Sequence, residues 1–124
     1  MKVLVIDEKN DIAESLLGEA QQLEVEVHSA ATLDEGVLIC EQRGADIVMM
    51  RDIISGCASC SLIQDFKNTS AVPEIIIYAE HGSPEHAEQA LEGGAWDYFV
   101  DPAPGQKLPD MLRRVVRFRR NKSG

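Results

Sequence analysis

Short uninterrupted apolar runs alternate along this chain with stretches in which apolar residues recur every three or four positions. Val3 to Ile6 is apolar throughout and is stopped by Asp7-Glu8, the signature of a strand buried on both faces. Ile12, Leu16, Ala20 and Leu23 then fall on one helical face. Val25 to His28 alternates as a second strand, and Leu33, Val37 and Cys40 mark a second helix closed by Gly44. Ile47 to Met50 is a third strand, Gly56 to Ser59 a loop, and Leu62, Ile63 and Phe66 a third helix. Pro73 precedes the strand-like Ile75-Ile76-Ile77-Tyr78. Ser83 is placed to cap a fourth helix with Pro84 at its first position, and Gly93-Gly94 ends it. Trp96 to Val100 reads as a fifth strand stopped by Asp101-Pro102, and Leu108, Met111, Leu112 and Val115 as a fifth helix.

Five strand-then-helix repeats predict an α/β fold: a doubly wound (βα)5 parallel sheet with helices on both faces. Sites in such sheets form at the carboxyl ends of the strands, beside the point where strand order reverses. Those ends are Asp7-Glu8, Arg51-Asp52, Tyr78-Ala79 and Val100-Asp101. One domain over residues 1–120 accounts for the pattern, and 121–124 reads as the start of a linker or tail.

The net charge of -9, from 12 basic and 21 acidic side chains, argues against nucleic-acid binding through the general surface. The exception is the basic cluster Arg113, Arg114, Arg117, Arg119, Arg120 and Lys122, which reads chiefly as a solvated last helix suited to its own dipole. No apolar run is long enough for a membrane span or signal segment. Three cysteines are an odd number without secretory context, so reduced thiols and a cytoplasmic location are the default.

At its strand ends the chain resembles the receiver domain of bacterial response regulators. The carriers are Lys2 to Glu8, Ala45 to Met50, Pro73 to Ile77 and, most specifically, Glu92 to Pro102, whose Gly-Ala-Trp-Asp-Tyr core is similar to receivers of NtrC-type transcription activators. The resemblance implies a flavodoxin-like sheet of order 2-1-3-4-5 and a role in two-component phosphorelay signalling. In that family an acidic pair after the first strand holds Mg²⁺, and an Asp ending the third strand accepts a phosphoryl group from a histidine kinase. A Thr or Ser ends the fourth strand, and a Lys-Pro pair ends the fifth. Metal and Lys neutralise the charge that develops in phosphoryl transfer.

Only part of that set is present. Asp7 and Glu8 match the acidic pair, Pro102 matches the Pro of Lys-Pro, and Tyr98 matches the aromatic that swings on activation. Aligned from Asp46, the phosphoacceptor position holds Arg51, the Thr/Ser position Ala79 and the Lys position Asp101, and Ser55 replaces a usual loop Pro. Arginine is a fixed cation and forms no acyl phosphate. Among Asp7 and Glu8 it would compete with Mg²⁺, so metal binding is weakened and no cofactor is expected. Because positions 51 and 101 have exchanged sign, the resemblance leads to an Arg51–Asp101 ion pair in a degenerate acidic pocket of Asp7, Glu8, Arg51, Asp52, Ala79 and Asp101. The alternative is an Arg51 that snorkels to solvent.

The leading expectation is a pseudo-receiver, an interaction or dimerisation module without enzymatic chemistry, contacting protein partners through Tyr98, Pro102 and the last helix. The resemblance names a histidine kinase, an effector domain after residue 124 or a second copy as partners. A second reading is a working receiver phosphorylated on Asp52, brought into position by a bulge in the third strand. A third is a small redox protein using Cys57-Ala-Ser-Cys60, which supplies only two of the four ligands of a structural zinc. His28, His81 and His86 read as ordinary surface histidines.

Overall fold

The apolar runs pair edge to edge in the computed structural model, which describes every residue except 10, 102–105 and 124, and omits the side chains of 11 and 123. Strands β1 (Lys2–Ile6), β2 (Glu26–Ala30), β3 (Ile47–Arg51), β6 (Glu74–Ala79) and β7 (Asp97–Val100) form one parallel sheet of order β2-β1-β3-β6-β7. This is the predicted 2-1-3-4-5 order. Between β3 and β6 the chain adds a short antiparallel hairpin, β4 (Ile53–Ile54) and β5 (Cys57–Ala58).

Successive side chains of a strand leave opposite faces, and each face has its own core. Val3, Val5, Ile47, Met49 and Ile76 pack against α1 (Asp11–Leu23) and α5 (Leu108–Ser123). Leu4, Ile6, Val48, Met50, Ile75 and Ile77 pack against α2 (Leu33–Arg43), α3 (Ile63–Lys67) and α4 (Pro84–Glu92). The helix α2 lies so close to β1 that a methyl group on Gly36 would run into Ile6 Cδ1. The third helix is shorter than the periodicity suggests, because Ser59–Leu62 forms a 3₁₀ turn ahead of it.

Of the loop predicted over Gly56 to Ser59, Gly56 lies in the turn at the tip of the β4–β5 hairpin, whereas Cys57 and Ala58 form β5 and Ser59 opens a 3₁₀ turn. Ser55 and Gly56 both have positive φ, 51° and 75°, as a two-residue type I′ turn requires. A proline is locked near φ −65°, so this turn explains why Ser55 stands where the resemblance leads one to look for Pro. The helix α5 also runs on through Asn121 and Lys122, where the sequence predicts a linker. Its last turns are pinned to the bottom of the sheet. Buried Glu74 is met by Arg119 at 3.4 Å and Lys122 at 3.0 Å, and Arg119 also donates to the carbonyls of Ala71 and Val72. The basic cluster is therefore partly a structural tether.

Cys40 is fully buried, and burial first, then Glu41, pushes its thiol from an ordinary 9.0 to about 11. A thiol that binds its proton more tightly when folded stabilises the fold fully below pH 9.0 and loses that contribution as pH climbs to about 11. Urea unfolding measured from pH 8 to pH 11 should therefore show a decline that Cys40→Ala flattens, even though the variant starts from lower stability; an unchanged slope would contradict this.

Candidate functional site

The site lies at the carboxyl ends of β1, β3, β6 and β7, around the switch point where the chain leaves β1 in both directions. An open cavity of about 380 Å³ is lined there by Asp7, Glu8, Arg51, Asp52, Ala79 and Glu80, among others.

Asp7 follows β1 directly and is 2% exposed. A buried carboxylate needs a counter-charge or it destabilises the fold. Arg51 supplies one: Nε donates to Asp7 Oδ1 at 3.4 Å and Nη2 to Oδ2 at 3.3 Å, while Lys9 N–H donates to Oδ1 at 3.2 Å. The guanidinium reaches the other way to Glu80 Oε1 at 3.1 Å and lies 5.6 Å from the centre of the Tyr78 ring. Burial alone would lower the Arg51 pKa, but hydrogen bonding and charge from Asp7, with Glu80 behind them, raise it. It is a permanent cation held by two carboxylates.

The expected Arg51–Asp101 pair does not form. Strands β3 and β7 are separated by β6, so roughly 10 Å of sheet lies between their axes. The carboxylates beside the neighbouring strands are nearer. Buried Asp101 instead turns toward the start of α5, where its Oδ2 accepts from Lys107 N–H at 3.0 Å. Nor does Arg51 snorkel, since it is largely buried with two acidic partners. Strands β3 and β6 run in unbroken register from Ile47↔Glu74 to Arg51↔Tyr78. The residue across from Arg51 is thus Tyr78, and Ala79 is one step further along the cavity wall. Glu8 is exposed, and its carboxylate accepts the Ser55 N–H at the hairpin tip. Pro102 lies outside the described residues.

The same unbroken register excludes the bulge that would bring Asp52 into Arg51's place. Asp52 is 5% exposed. Its N–H donates to Tyr78 O at 2.8 Å, and its carboxylate meets groups from α4 and β7. His86 Nδ1 is 3.0 Å from both carboxylate oxygens, and Tyr98 Oη donates to Oδ2 at 3.0 Å. Because a carboxylate only accepts, Nδ1 carries the proton. Tyr98 Oη in turn accepts the Ser83 N–H at 3.1 Å, and the Ser83 hydroxyl caps α4 by accepting the His86 N–H at 3.2 Å. Asp52, Tyr98, Ser83 and His86 therefore close a ring joining the end of β3, the start of α4 and β7. Burial, strengthened by the bond to Asp52 and opposed by the Ser83 N–H, raises the Tyr98 phenol pKa and keeps it protonated.

His86 is therefore not an ordinary surface histidine. The run Ser83-Pro84-Glu85-His86 marks where α4 starts but not which side of the helix meets the sheet, so it gave no signal for the partner of His86. His81 and His28 are on the surface, as expected. Cys57 and Cys60 are free thiols, one exposed and one buried.

A magnesium ion does not fit this arrangement. Of the acidic pair, Asp7 is engaged by Arg51 and Glu8 by Ser55, and the third strand contributes a cation. Among the described residues no three His, Cys, Asp or Glu side chains are grouped to hold a metal, and no helix is long and apolar enough to cross a membrane.

Sheet order, helix placement and a site at these strand ends define a receiver-type α/β protein. Residues 3–113 match the family model for the response regulator receiver domain, and the chain belongs to that family. It is 30% identical over 122 residues to the C4-dicarboxylate transport transcriptional regulatory protein DctD of Pseudomonas aeruginosa, covering 96% of this chain and 26% of that protein. It is 22% identical to the response regulator protein PilR of the same organism, again covering 26% of it. The chain thus spans about a quarter of the length of these two relatives. Among solved structures, a CheY-like receiver from Methanospirillum hungatei superposes with a TM-score of 0.83 at 20% identity, covering 99% of this chain and 98% of that one. The beryllofluoride-activated NtrC4 receiver domain dimer superposes with a TM-score of 0.80 at 19% identity, covering 95% and 98%.

His86→Ala removes one holder of a buried carboxylate and should destabilise the domain by about 1–3 kcal/mol. In a double-mutant cycle with Asp52→Asn, urea unfolding should show the two changes to be strongly non-additive. Additive losses would mean the ring does not act as a unit.

Proposed function

We propose that this receiver domain signals without phosphorylation, as a pseudo-receiver that serves as a protein-interaction or dimerisation module of a signalling or transcription regulator. The observation carrying this reading is the Arg51 guanidinium at the end of β3, clamped between Asp7 and Glu80. A fixed cation there neither accepts a phosphoryl group nor leaves the acidic pair free for a metal. The neighbouring Asp52 is an unsuitable substitute, because both its oxygens are already engaged and its carboxylate is buried.

Tyr98 corresponds to the aromatic that moves on activation in the family, and here its hydroxyl is held by Asp52 and Ser83. The α4–β7–α5 face is then set by packing rather than by phosphate, and it presents Leu91, Val100 and Phe118 to solvent. Its partners would be proteins: an effector domain of the same polypeptide, a histidine kinase or a second copy. The chain's likeness to transcriptional regulators and to a receiver dimer supports this. The acidic net charge disfavours direct nucleic-acid binding by the domain.

The test is treatment with Mg²⁺ and acetyl phosphate, and separately with beryllofluoride, followed by intact mass and amide chemical shifts. The expected result is no phosphoryl adduct and no movement of the Tyr98 or Asp52 signals. A phosphoryl adduct abolished by Asp52→Asn would overturn the proposal in favour of a working phosphorelay receiver. As a companion measurement, Arg51→Gln should bind Mg²⁺ at least about tenfold more tightly than the parent chain, a gain of about 1.4 kcal/mol, read by isothermal titration calorimetry. Equal affinity would show that Arg51 does not guard the acidic pair.

A further inference from the structure

The hairpin after β3 carries a pair of thiols that the phosphate-independent reading leaves unused. Cys57 ends the hairpin turn on β5 and is exposed, whereas Cys60 lies in the 3₁₀ turn that follows and is 9% exposed. The two sulfurs have different partners. Cys57 Sγ lies 3.8 Å from Ser61 Oγ, already over the turn that carries Cys60. Cys60 Sγ donates to Gln89 Oε1 on α4 at 3.3 Å. Ser59, between them, is fully buried and donates from both N–H and hydroxyl to the carbonyl of Asp52, at 2.8 and 3.1 Å. The thiol-bearing segment is therefore tied on one side to α4 and on the other to the residue whose carboxylate holds His86 and Tyr98.

From this placement we infer that Cys57 and Cys60 form an oxidisable dithiol site, converted to a disulfide by hydrogen peroxide, and that closing the bond perturbs α4 and the Asp52–His86–Tyr98 ring. The exposed Cys57 thiolate attacks a peroxide oxygen and the O–O bond breaks. Cys57 becomes a sulfenic acid, and hydroxide leaves and is protonated to water. The Cys60 thiolate then attacks the sulfenic sulfur, the S–O bond breaks, and the hydroxyl leaves as a second water. The pair is oxidised by two electrons, the peroxide is reduced by two, and no other reactant is needed. Burial, with the charge of Asp52 behind it, raises the Cys60 thiol, so the exposed Cys57 is the thiol that meets the peroxide first. A disulfide sulfur carries no proton, so closing the bond removes the hydrogen bond from Cys60 to Gln89 on α4. Fully buried Cys40, with its thiol pushed to about 11, stays outside the reaction. The site stands independently of the pseudo-receiver reading, and only the effect on Tyr98 rests on it.

The experiment treats the whole chain with hydrogen peroxide and reads intact mass, peptide maps, thiol titration and amide shifts before and after dithiothreitol. The expected result is a reversible intramolecular Cys57–Cys60 bond with shifts at Gln89, His86 and Tyr98. Cys57→Ser, at an exposed position, should abolish both the bond and the shifts. Cys60→Ser should instead accumulate a sulfenic acid at Cys57, trapped by dimedone. Failure of the parent chain to form the bond while both thiols remain titratable would overturn the site. A bond whose shifts stay within residues 53–62 would overturn the coupling. Neither outcome alters the acetyl phosphate result, so failure here and failure of the proposed function are separable.

Discussion

A carboxylate at the end of β1, nearly sealed from water, must find a positive partner, and most of the site follows from where that partner comes from. Asp7 is fixed by the apolar strand that delivers it, and leaving such a group unpaired costs on the order of 3–5 kcal/mol. The cation is Arg51, one strand away, and its other side is occupied by Glu80 after β6. Three strand ends are thereby cross-linked by a charge that does not titrate at ordinary pH. Asp52 is released to the opposite face of the sheet, where α4 and β7 take hold of it.

The two adjacent residues of β3 and its end thus divide the molecule's electrostatics. Arg51 looks toward β1 and neutralises Asp7; Asp52 looks toward α4 and β7 and organises them. Period-two alternation of side chains makes this division unavoidable. It also sets the two cores apart: one side of the sheet carries α1 and α5, the other α2, α3 and α4.

Much of the architecture could be read from the sequence, because the apolar runs are short and set apart by helical spacing, the first and the fifth being stopped by Asp7 and Asp101, and each helix shows its spacing or its cap. Ser83 and Pro84 mark the start of α4, and Gly44 closes α2 with φ 75°. The position of Arg51 was legible; its partner was not. Sign exchange between positions 51 and 101 suggested a pair, but charge inventories carry no distances, and an intervening strand decided against it. The Ser55-Gly56 turn was hidden for a different reason: strands of two residues are too short to show alternation, and the Ser-Gly dipeptide between Ile53-Ile54 and Cys57-Ala58 was the available signal. The partnership of His86 with Asp52 needed the rotation of a helix relative to the sheet, which only packing fixes.

With Ser55 at positive φ and its N–H bound to Glu8, a proline there would be excluded both by ring geometry and by the lost donor. Replacing Arg51 with aspartate alone would crowd like charges against Asp7 while the hairpin, Glu8 and the engaged Asp52 stayed as they are. Each such single change lowers stability on its own, so the hairpin and the ion pairs work as a ratchet that holds the end of β3 in its present form.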